Sequence, residues 1–390
     1  MTTEHIGTRI RYWRRRRGGM SQKMLADLAG LSQAYISQIE TGERALDRRA
    51  TQVAVARALN ITVSQLQGQP GDPTDPAKAE AAAAVPGIRS VVNEFNAGER
   101  YEPARPIEAL REAVERSSVL RNAADYAGLA PGMADLLRDT YWFAGPEFIE
   151  ASFNARFLLK GAGYPDLALA VAEVGLRVAR ELDAPEWTGL AEISRLNVFP
   201  PEDAALTSRV ARRVAGELQP HAAVPAVRHA YGNLLCRAAM TAGVAGQASD
   251  ADTFITEAAT EARSLGEPDN GGFGLLWFGP TSVGVWQVSV ATELGDNDKA
   301  IATAEAVDPR PMRAPNRVVY YWTDYGRALQ SVGKDNEALR AFSEAEMVDP
   351  QRVRMDPVVK DSVSAIAHRA RRRAISPELA SLAQKLGIDV

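Results

Sequence analysis

The chain has 390 residues and a formal net charge of −4, and this length allows more than one domain. Its single cysteine, Cys236, excludes an internal disulfide framework and fits a reducing compartment. The N-terminal residues lack the apolar segment of a signal peptide, and no uncharged apolar stretch is long enough to span a bilayer, so we expect a cytoplasmic protein with no membrane partner.

Charge is divided unevenly along the chain. Residues 1–70 hold 11 Lys and Arg against 5 Asp and Glu, a formal charge of +6, which leaves −10 for the remaining residues. A basic first part joined to an acidic second part is typical of a nucleic-acid-binding module attached to a unit that does not bind nucleic acid.

The first predicted helix runs from about Thr3 to Arg16, with Ile6, Ile10 and Trp13 as its buried line. Four arginines, from Arg14 to Arg17, crowd its C-terminal end, where cations suit the helix dipole. They are either a solvated face or, for one or two of them, phosphate contacts.

The stretch from Ser21 to Gly42 predicts two short helices joined by a tight turn. Ser21 and Ser32 are good N-caps, and Gly30 is a good C-cap because a left-handed residue there costs least as glycine. The apolar residues that we expect to face inward occur at helical spacing and are Met24, Leu25, Leu28, Leu31, Ile36 and Ile39.

The outward side of the second helix is polar, uncharged and short-chained. It carries Gln33, Ala34, Ser37, Gln38 and Thr41. Such a surface suits base edges in the major groove, where glutamine can pair with adenine and a small residue can touch a thymine methyl.

The string Q-x-x-L-A-x-x-x-G-[LV]-S-x-x-x-[IV]-S-x-[IL]-E-x-G, at residues 22–42, resembles the Cro/C1-type (Xre family) helix-turn-helix. The resemblance covers about 68 residues and implies a five-helix domain that contacts double-stranded DNA through Gln22, Ser32, Gln33, Ala34, Tyr35, Ser37, Gln38 and Arg44. It places Arg44 on a phosphate, with Arg48 and Arg49 as weaker candidates. The alternative is an αα-hairpin of a helical repeat, which would make the capped turn and the basic flanks a coincidence.

Residues 67–76 read QGQPGDPTDP, and three prolines with two glycines in ten residues cannot hold a helix. We therefore place a DNA-binding domain at residues 1–68, a linker at 69–76 and a second domain at 77–390. Pro70, Pro73 and Pro76 predict a semi-rigid linker that transmits movement between the two domains.

From Ala77 onward the chain reads as helical and contains repeats. The clearest unit, YGRALQSVGKDNEALRAFSEAEMVDP at 325–350, resembles the tetratricopeptide (TPR) consensus. A second and a third copy surround Gly295 and Gly163, and looser units occupy about 189–218 and 227–265. We predict an all-α fold with five to seven degenerate TPR-like repeats stacked as a solenoid. The C-terminal stretch predicts capping helices, with a solvated basic face favoured over a second DNA contact: Arg369, Arg371, Arg372 and Arg373.

No catalytic or metal-binding motif occurs in the sequence. The four histidines show no ligand spacing, and H-E-x-x-H, C-x-x-C and phosphate-loop patterns are missing. The glycines of DNGGFG, at 269–274, lack the strand-turn-helix context of a phosphate cradle. We expect no enzyme, no metal and no cofactor.

A helix-turn-helix joined to TPR-like repeats resembles the peptide-pheromone receptor regulators of Gram-positive bacteria. The resemblance implies a homodimer on a palindromic operator and a concave surface that binds a peptide through asparagines, here Asn154, Asn197 and Asn233. Aromatic clusters that include Trp277 and Trp322 would allow a small-molecule effector instead. The alternative function is a DNA-anchored adaptor whose repeats dock a protein partner.

Overall fold

The computed structural model describes residues 5–68, 81–370 and 375–388, and this part of the chain confirms the predicted all-α fold. Residues 5–68, here called the head, contain α1 (Ile6–Arg16), α2 (Gln22–Ala29), α3 (Gln33–Thr41), α4 (Arg49–Ala58) and α5 (Val63–Leu66). Pro70, Pro73 and Pro76, on which the linker prediction rests, lie outside the described residues, as does Thr3.

The head has its own hydrophobic core, to which all five helices contribute. Its fully buried large side chains are Ile6, Ile10, Leu25, Ile36, Ile39, Leu46, Leu59 and Leu66. The prediction was wrong for Met24 and Leu28, which are 53% and 58% exposed. Leu25 and Ala29 form the buried i, i+4 pair of α2, so the pair one residue earlier, Met24 and Leu28, points away from the core.

The described residues from 81 onward, here called the body, are antiparallel helices stacked in sequence. They are α6 (Val85–Asn96), α7 (Ile107–Asn122), α8 (Tyr126–Leu129), α9 (Met133–Phe143), α10 (Pro146–Gly161), α11 (Pro165–Glu181), α12 (Pro185–Leu196), α13 (Ala204–Leu218), α14 (Pro225–Val244), α15 (Ala248–Leu265), α16 (Pro280–Leu294), α17 (Asn297–Ala306), α18 (Pro315–Ser331), α19 (Asp335–Val348), α20 (Pro350–Met355), α21 (Pro357–Ala370) and α22 (Pro377–Leu386). Short 3-10 turns occur at Pro201–Asp203, Gln219–His221, Asp269–Gly271 and Phe273–Leu275.

Proline and glycine set where the body helices begin and turn. Many of these helices begin with proline, whose fixed φ and missing N–H fit the first helical position. The α16–α17 turn is made by Gly295, whose φ of 79° is left-handed. In the clearest predicted repeat, a Cβ on Gly326 would lie 2.7 Å from the Phe342 ring, so glycine permits the close crossing of α18 and α19.

The helix array closes on itself, because its early and late helices are in contact. The Asn316 side chain on α18 donates to the carbonyl of Arg121 on α7 at 3.3 Å, and the Asn122 side chain donates to the carbonyl of Arg313 at 2.9 Å. The Trp277 indole N–H also donates to Asn122, at 2.8 Å. The inner sides of α7, α10, α14 and α18 therefore surround a common interior.

Candidate nucleic-acid interface

Local capping fixes the turn between α2 and α3. The Ser21 hydroxyl accepts from the Met24 N–H and the Ser32 hydroxyl accepts from the Tyr35 N–H, both at 3.1 Å. Gly30 ends α2 at φ 66° and Gly42 ends α3 at φ 82°, both in the left-handed region. These contacts set the angle between the two helices and hence the presentation of α3.

The structure brings the predicted base-reading residues together on the exposed side of α3. Ser32, Gln33, Ala34 and Gln38 are exposed, and Tyr35 and Ser37 are half-buried. The side chains of Gln33 and Gln38 make no hydrogen bond to any described residue, so their amides can bond to another molecule. Nothing in the described part of the chain lies across this side of α3.

Glu40 on the inner side of α3 holds the helix in place, and the sequence analysis gave it no such role. Its buried carboxylate accepts from the Arg14 guanidinium at 2.7 and 2.9 Å and from the Gln22 side chain at 2.9 Å. Burial would raise the pKa of Glu40, but the bonds from Arg14 and Gln22 outweigh it, and the pKa is lowered. Gln22 is thus held against α3, and Arg14 links α1 to α3 through its ion pair with Glu40.

Arg44 follows α3 and lies over the Tyr35 ring, with the guanidinium carbon 4.6 Å from the ring centroid. The side chain is exposed, so it can reach a phosphate while its stem rests on Tyr35. Of the arginine run at the end of α1, Arg15 to Arg17 remain exposed, and Arg16 and Arg17 each bond within the head.

Three carboxylates of the body bond to the first residues of three head helices. Asp361 on α21 accepts from the Ile6 N–H of α1 at 3.2 Å and from the Leu46 N–H at 2.6 Å. Glu293 on α16 accepts from the Arg49 N–H of α4 at 3.0 Å, and Glu202 accepts from the Val63 N–H of α5 at 2.6 Å.

The N–H groups in the first turn of a helix have no partner inside the helix, and the helix dipole makes that end attractive to anions. Asp361, Glu293 and Glu202 supply such anions. The charge complementarity between the acidic body and the basic head is therefore accompanied by specific hydrogen bonds. Burial would raise the pKa of Glu293, but Arg327 and Arg49 outweigh it and the pKa is lowered, which keeps this carboxylate ionised.

Arginines on both sides complete the contact between head and body. Arg48 of the head donates to the carbonyls of Glu293 and Leu294 at the end of α16, both at 3.2 Å. Arg327 of the body donates to the Asp47 carbonyl at 2.7 Å and to the Glu293 carboxylate at 2.8 Å. Arg369 donates to the Glu43 carbonyl at 3.0 Å.

These bonds correct three predictions. Arg48 and Arg49 are held by the body, so they are not free phosphate ligands in this arrangement. Arg369 joins the Asp335 carboxylate to the head and is not part of a solvated face, whereas Arg371 to Arg373 lie outside the described residues. The head bonds to α16, α18 and α21 and to Glu202 in the Pro201–Asp203 turn.

The comparison with known protein families identifies a domain in the head. Residues 5–67 match the family model of a helix-turn-helix domain. The chain therefore carries a helix-turn-helix domain, which supports a DNA-binding regulator. A search of the curated proteins gave no match.

The residues predicted to bind an effector are not gathered into one surface. Asn154 is buried and donates to Ser117 and Ser118, at 2.7 and 3.0 Å, and Asn233 is buried and donates to the Leu276 carbonyl at 3.1 Å. Trp277 is buried, and Trp322 packs between Tyr321 and Tyr325. Asn197 alone of the three asparagines is half-exposed, and it accepts from the Arg237 guanidinium. The structure does not support a row of asparagine clamps, because the NH2 groups of Asn154 and Asn233 donate within the body.

The described residues contain neither a candidate membrane-spanning helix nor a candidate metal site. No helix there is long and apolar enough to cross a membrane. No group of three or more His, Cys, Asp and Glu side chains in that part of the chain is arranged to hold a metal ion.

Proposed function

We propose that this protein is a sequence-specific transcription regulator in which the body holds the head in a defined position on DNA. The observation that carries the proposal is the division of the head surface. The base-reading side of α3 is exposed, while the starts of α1, α4 and α5 are bonded to the body. A body that fixes the head can control where α3 points.

We further infer a homodimer on a palindromic operator. One head of this size buries too little surface for tight binding, and helix-turn-helix regulators engage two half-sites about 34 Å apart. The body would supply the dimer contact, because the apolar residues of the head are largely used in its own core. Holding each head rigidly on its body would then fix the distance between two reading helices.

A peptide or small-molecule effector would act by changing this distance. A ligand shifts DNA affinity only as far as it prefers one arrangement of the heads over another. The carboxylate bonds from Asp361, Glu293 and Glu202 offer a direct route for such coupling, in addition to the linker. The proposal assigns no catalytic step to the protein.

Selection of DNA fragments by the full-length protein tests the reading function. We expect a palindromic consensus, on which Gln33→Ala costs about 1–3 kcal/mol of binding free energy while binding to random DNA is nearly unchanged. Gln384→Ala, at an exposed glutamine of α22, is the matched control and should leave both affinities unchanged.

Equal losses for Gln33→Ala on the consensus and on random DNA would contradict base reading by this residue. Recovery of no preferred sequence, together with a stable stoichiometric complex with a second protein, would support the adaptor function instead.

A further inference from the structure

Cationic side chains from four body helices line the interior of the closed array. They are Arg121 on α7, Arg156 and Lys160 on α10, Arg237 on α14 and Arg317 on α18. None of the five forms an ion pair with a described residue. Arg121 and Arg156 are buried, Arg237 and Arg317 are half-buried, and Lys160 is exposed. The lack of an ion pair is unusual for the two buried arginines, because buried cations are normally paired with carboxylates.

Ring contacts and hydrogen bonds show that the five cations belong to one cluster. Arg121 and Arg156 both lie over the Phe153 ring, at 4.6 and 4.5 Å from its centroid. Arg237 and Arg317 both lie over the Trp286 ring, at 5.3 and 5.9 Å.

Asn197 joins the two halves of the cluster. Its side chain accepts from Arg237 and its carbonyl accepts from Lys160. Lys160 stands one turn after Arg156 on the same side of α10.

Burial and the proximity of the cations to one another disfavour their charged forms and so lower their pKa values. Burial, followed by the neighbouring cations, lowers the pKa of Arg156 to about 9. The pKa of the exposed Lys160 is also lowered, by partial desolvation and by the neighbouring Arg237 and Arg156. Burial likewise lowers the pKa of Arg121 and of Arg237 to about 10. The carboxylate that acts on Arg121 is Glu150, and it leaves the cluster with a large excess of positive charge.

Part of the cluster is structural, but much of its donor capacity is unused. Arg121 donates to the Gly274 carbonyl at 2.9 Å, yet its Nε is buried without a partner. Arg156 makes one long bond, at 3.4 Å, to Ser194. The Arg317 guanidinium makes no hydrogen bond to a described residue. These are free donors within a positive interior, which is the condition for binding an anion.

We propose that this cluster is a binding site for a small molecule that carries a phosphate or polyphosphate group. Guanidinium groups that arrive from several helices match oxygens arranged tetrahedrally around phosphorus, and the charge excess suits an anion of more than one charge. Both aromatic rings in the cluster are already covered by arginines, so recognition rests on the anionic group. The NH2 groups of Asn154 and Asn233, which could have donated to a peptide, already donate within the body.

The cluster lies within electrostatic reach of the head. Arg49, at the start of α4, lies close enough to lower the pKa of both Lys160 and Arg237, and its own partner is Glu293 at 2.6 Å. An anion bound here would compete with Glu293 for Arg49 and would weaken the contact between head and body. This effect on the head rests on the proposed function, whereas the binding itself does not.

Calorimetric titration of the full-length protein with pyrophosphate, in the absence of DNA, tests the site. We expect saturable binding of about one pyrophosphate per chain and a raised melting temperature, relative to sodium chloride at equal ionic strength. Arg156→Gln and Arg317→Gln should each weaken binding at least about 10-fold. Arg213→Gln, at an exposed arginine paired with Glu217, is the control and should bind as the parent does.

A structural role for the cations predicts a different result. If the cations were structural, Arg156→Gln would lower the melting temperature without changing the response to pyrophosphate. If they form a binding site, Arg156→Gln relieves charge repulsion, so the unliganded variant should be at least as stable as the parent. Unsaturable binding, or equal binding by parent and Arg156→Gln, would mean an adventitious ion only and would overturn the proposal. Tighter binding of citrate than of pyrophosphate would overturn the assignment to phosphate. Since no DNA is present, none of these results depends on the regulator function.

Discussion

At the scale of single residues, Asp361 is a body side chain that accepts two backbone hydrogen bonds from the head. Its two oxygens each accept a backbone N–H of the head, from residues 355 and 315 positions away in the chain. An asparagine at this position would present an NH2 group to one of those N–H groups, so donor would face donor. Asp361→Asn therefore removes one bond and leaves the shape of the side chain nearly unchanged.

The titration of Asp361 gives the first prediction. Burial raises its pKa to about 6, against the opposing effect of the Leu46 and Ile6 N–H groups; Asp47 also raises it and Arg9 lowers it. Because the folded state binds the proton more tightly than the unfolded state, the contribution of Asp361 to stability is present below the ordinary pKa of 3.8. It is lost as the pH rises through about 6.

Urea denaturation at fixed pH values measures this contribution. The free energy of unfolding of the parent, minus that of Asp361→Asn, should fall by up to about 3 kcal/mol between pH 4 and pH 7. Glu346→Gln is the control with the opposite sign, because Lys385 and Arg354 outweigh burial and lower the pKa of Glu346. A parent-minus-Asp361→Asn difference that stays flat from pH 4 to pH 7 would contradict the assignment.

Residue patterns explain what the sequence could and could not predict. Ser21, Ser32, Gly30 and Gly42 act within their own turns, so their capping roles are readable from local order. The exposure of Met24 and Leu28 depends on how α2 packs against its neighbours. The bonds of Asp361 join residues hundreds of positions apart, and no periodicity encodes such a pairing.

At the scale of elements, the starts of α1, α4 and α5 are the parts of the head that the body completes. Each start has backbone donors without partners in its own helix, and a body carboxylate bonds to each of them. Exchange of these amide hydrogens with solvent should accordingly be slow in the full-length protein.

Hydrogen exchange of Asp361→Asn tests this dependence amide by amide. We expect exchange at Ile6 or Leu46, whichever N–H loses its acceptor, to accelerate at least about 10-fold, because it opens to water. The Val63 N–H is bonded to Glu202, so faster exchange there as well would show that the contacts of Asp361 and Glu202 with the head open together. Glu346→Gln should leave every head amide unchanged. Unaltered exchange at both Ile6 and Leu46 would show that Asp361 does not hold the head.

At the scale of the whole molecule, charge and closure explain why the head has a defined place. Residues 1–70 carry a formal charge of +6 and the rest of the chain −10, and the contact between head and body is made of specific bonds as well as net attraction. The opposite pattern holds in the interior of the closed array, where the five clustered cations form no ion pair with a described residue. The sequence showed the division of charge between domains, but closure of the array, which brings α7 against α18, could not be read from helix-length patterns.

We propose that bonds from the body fix the orientation of the head for paired half-sites. The most direct measurement compares two affinities: that for a palindromic operator and that for a single half-site. Without the bonds, the body no longer fixes the orientation of each head. The gain in affinity from binding both half-sites then falls, because the two heads are no longer preorganised.

The variant for this comparison is the double substitution Glu293→Gln with Asp361→Asn. Its matched control is Glu346→Gln with Asp139→Asn, two body carboxylates that pair with body arginines. We expect the double variant to lose at least about 10-fold in operator affinity while its half-site affinity stays within about 2-fold of the parent, and the control to retain both. An unchanged ratio of the two affinities in the double variant would contradict the claim that the body positions the head.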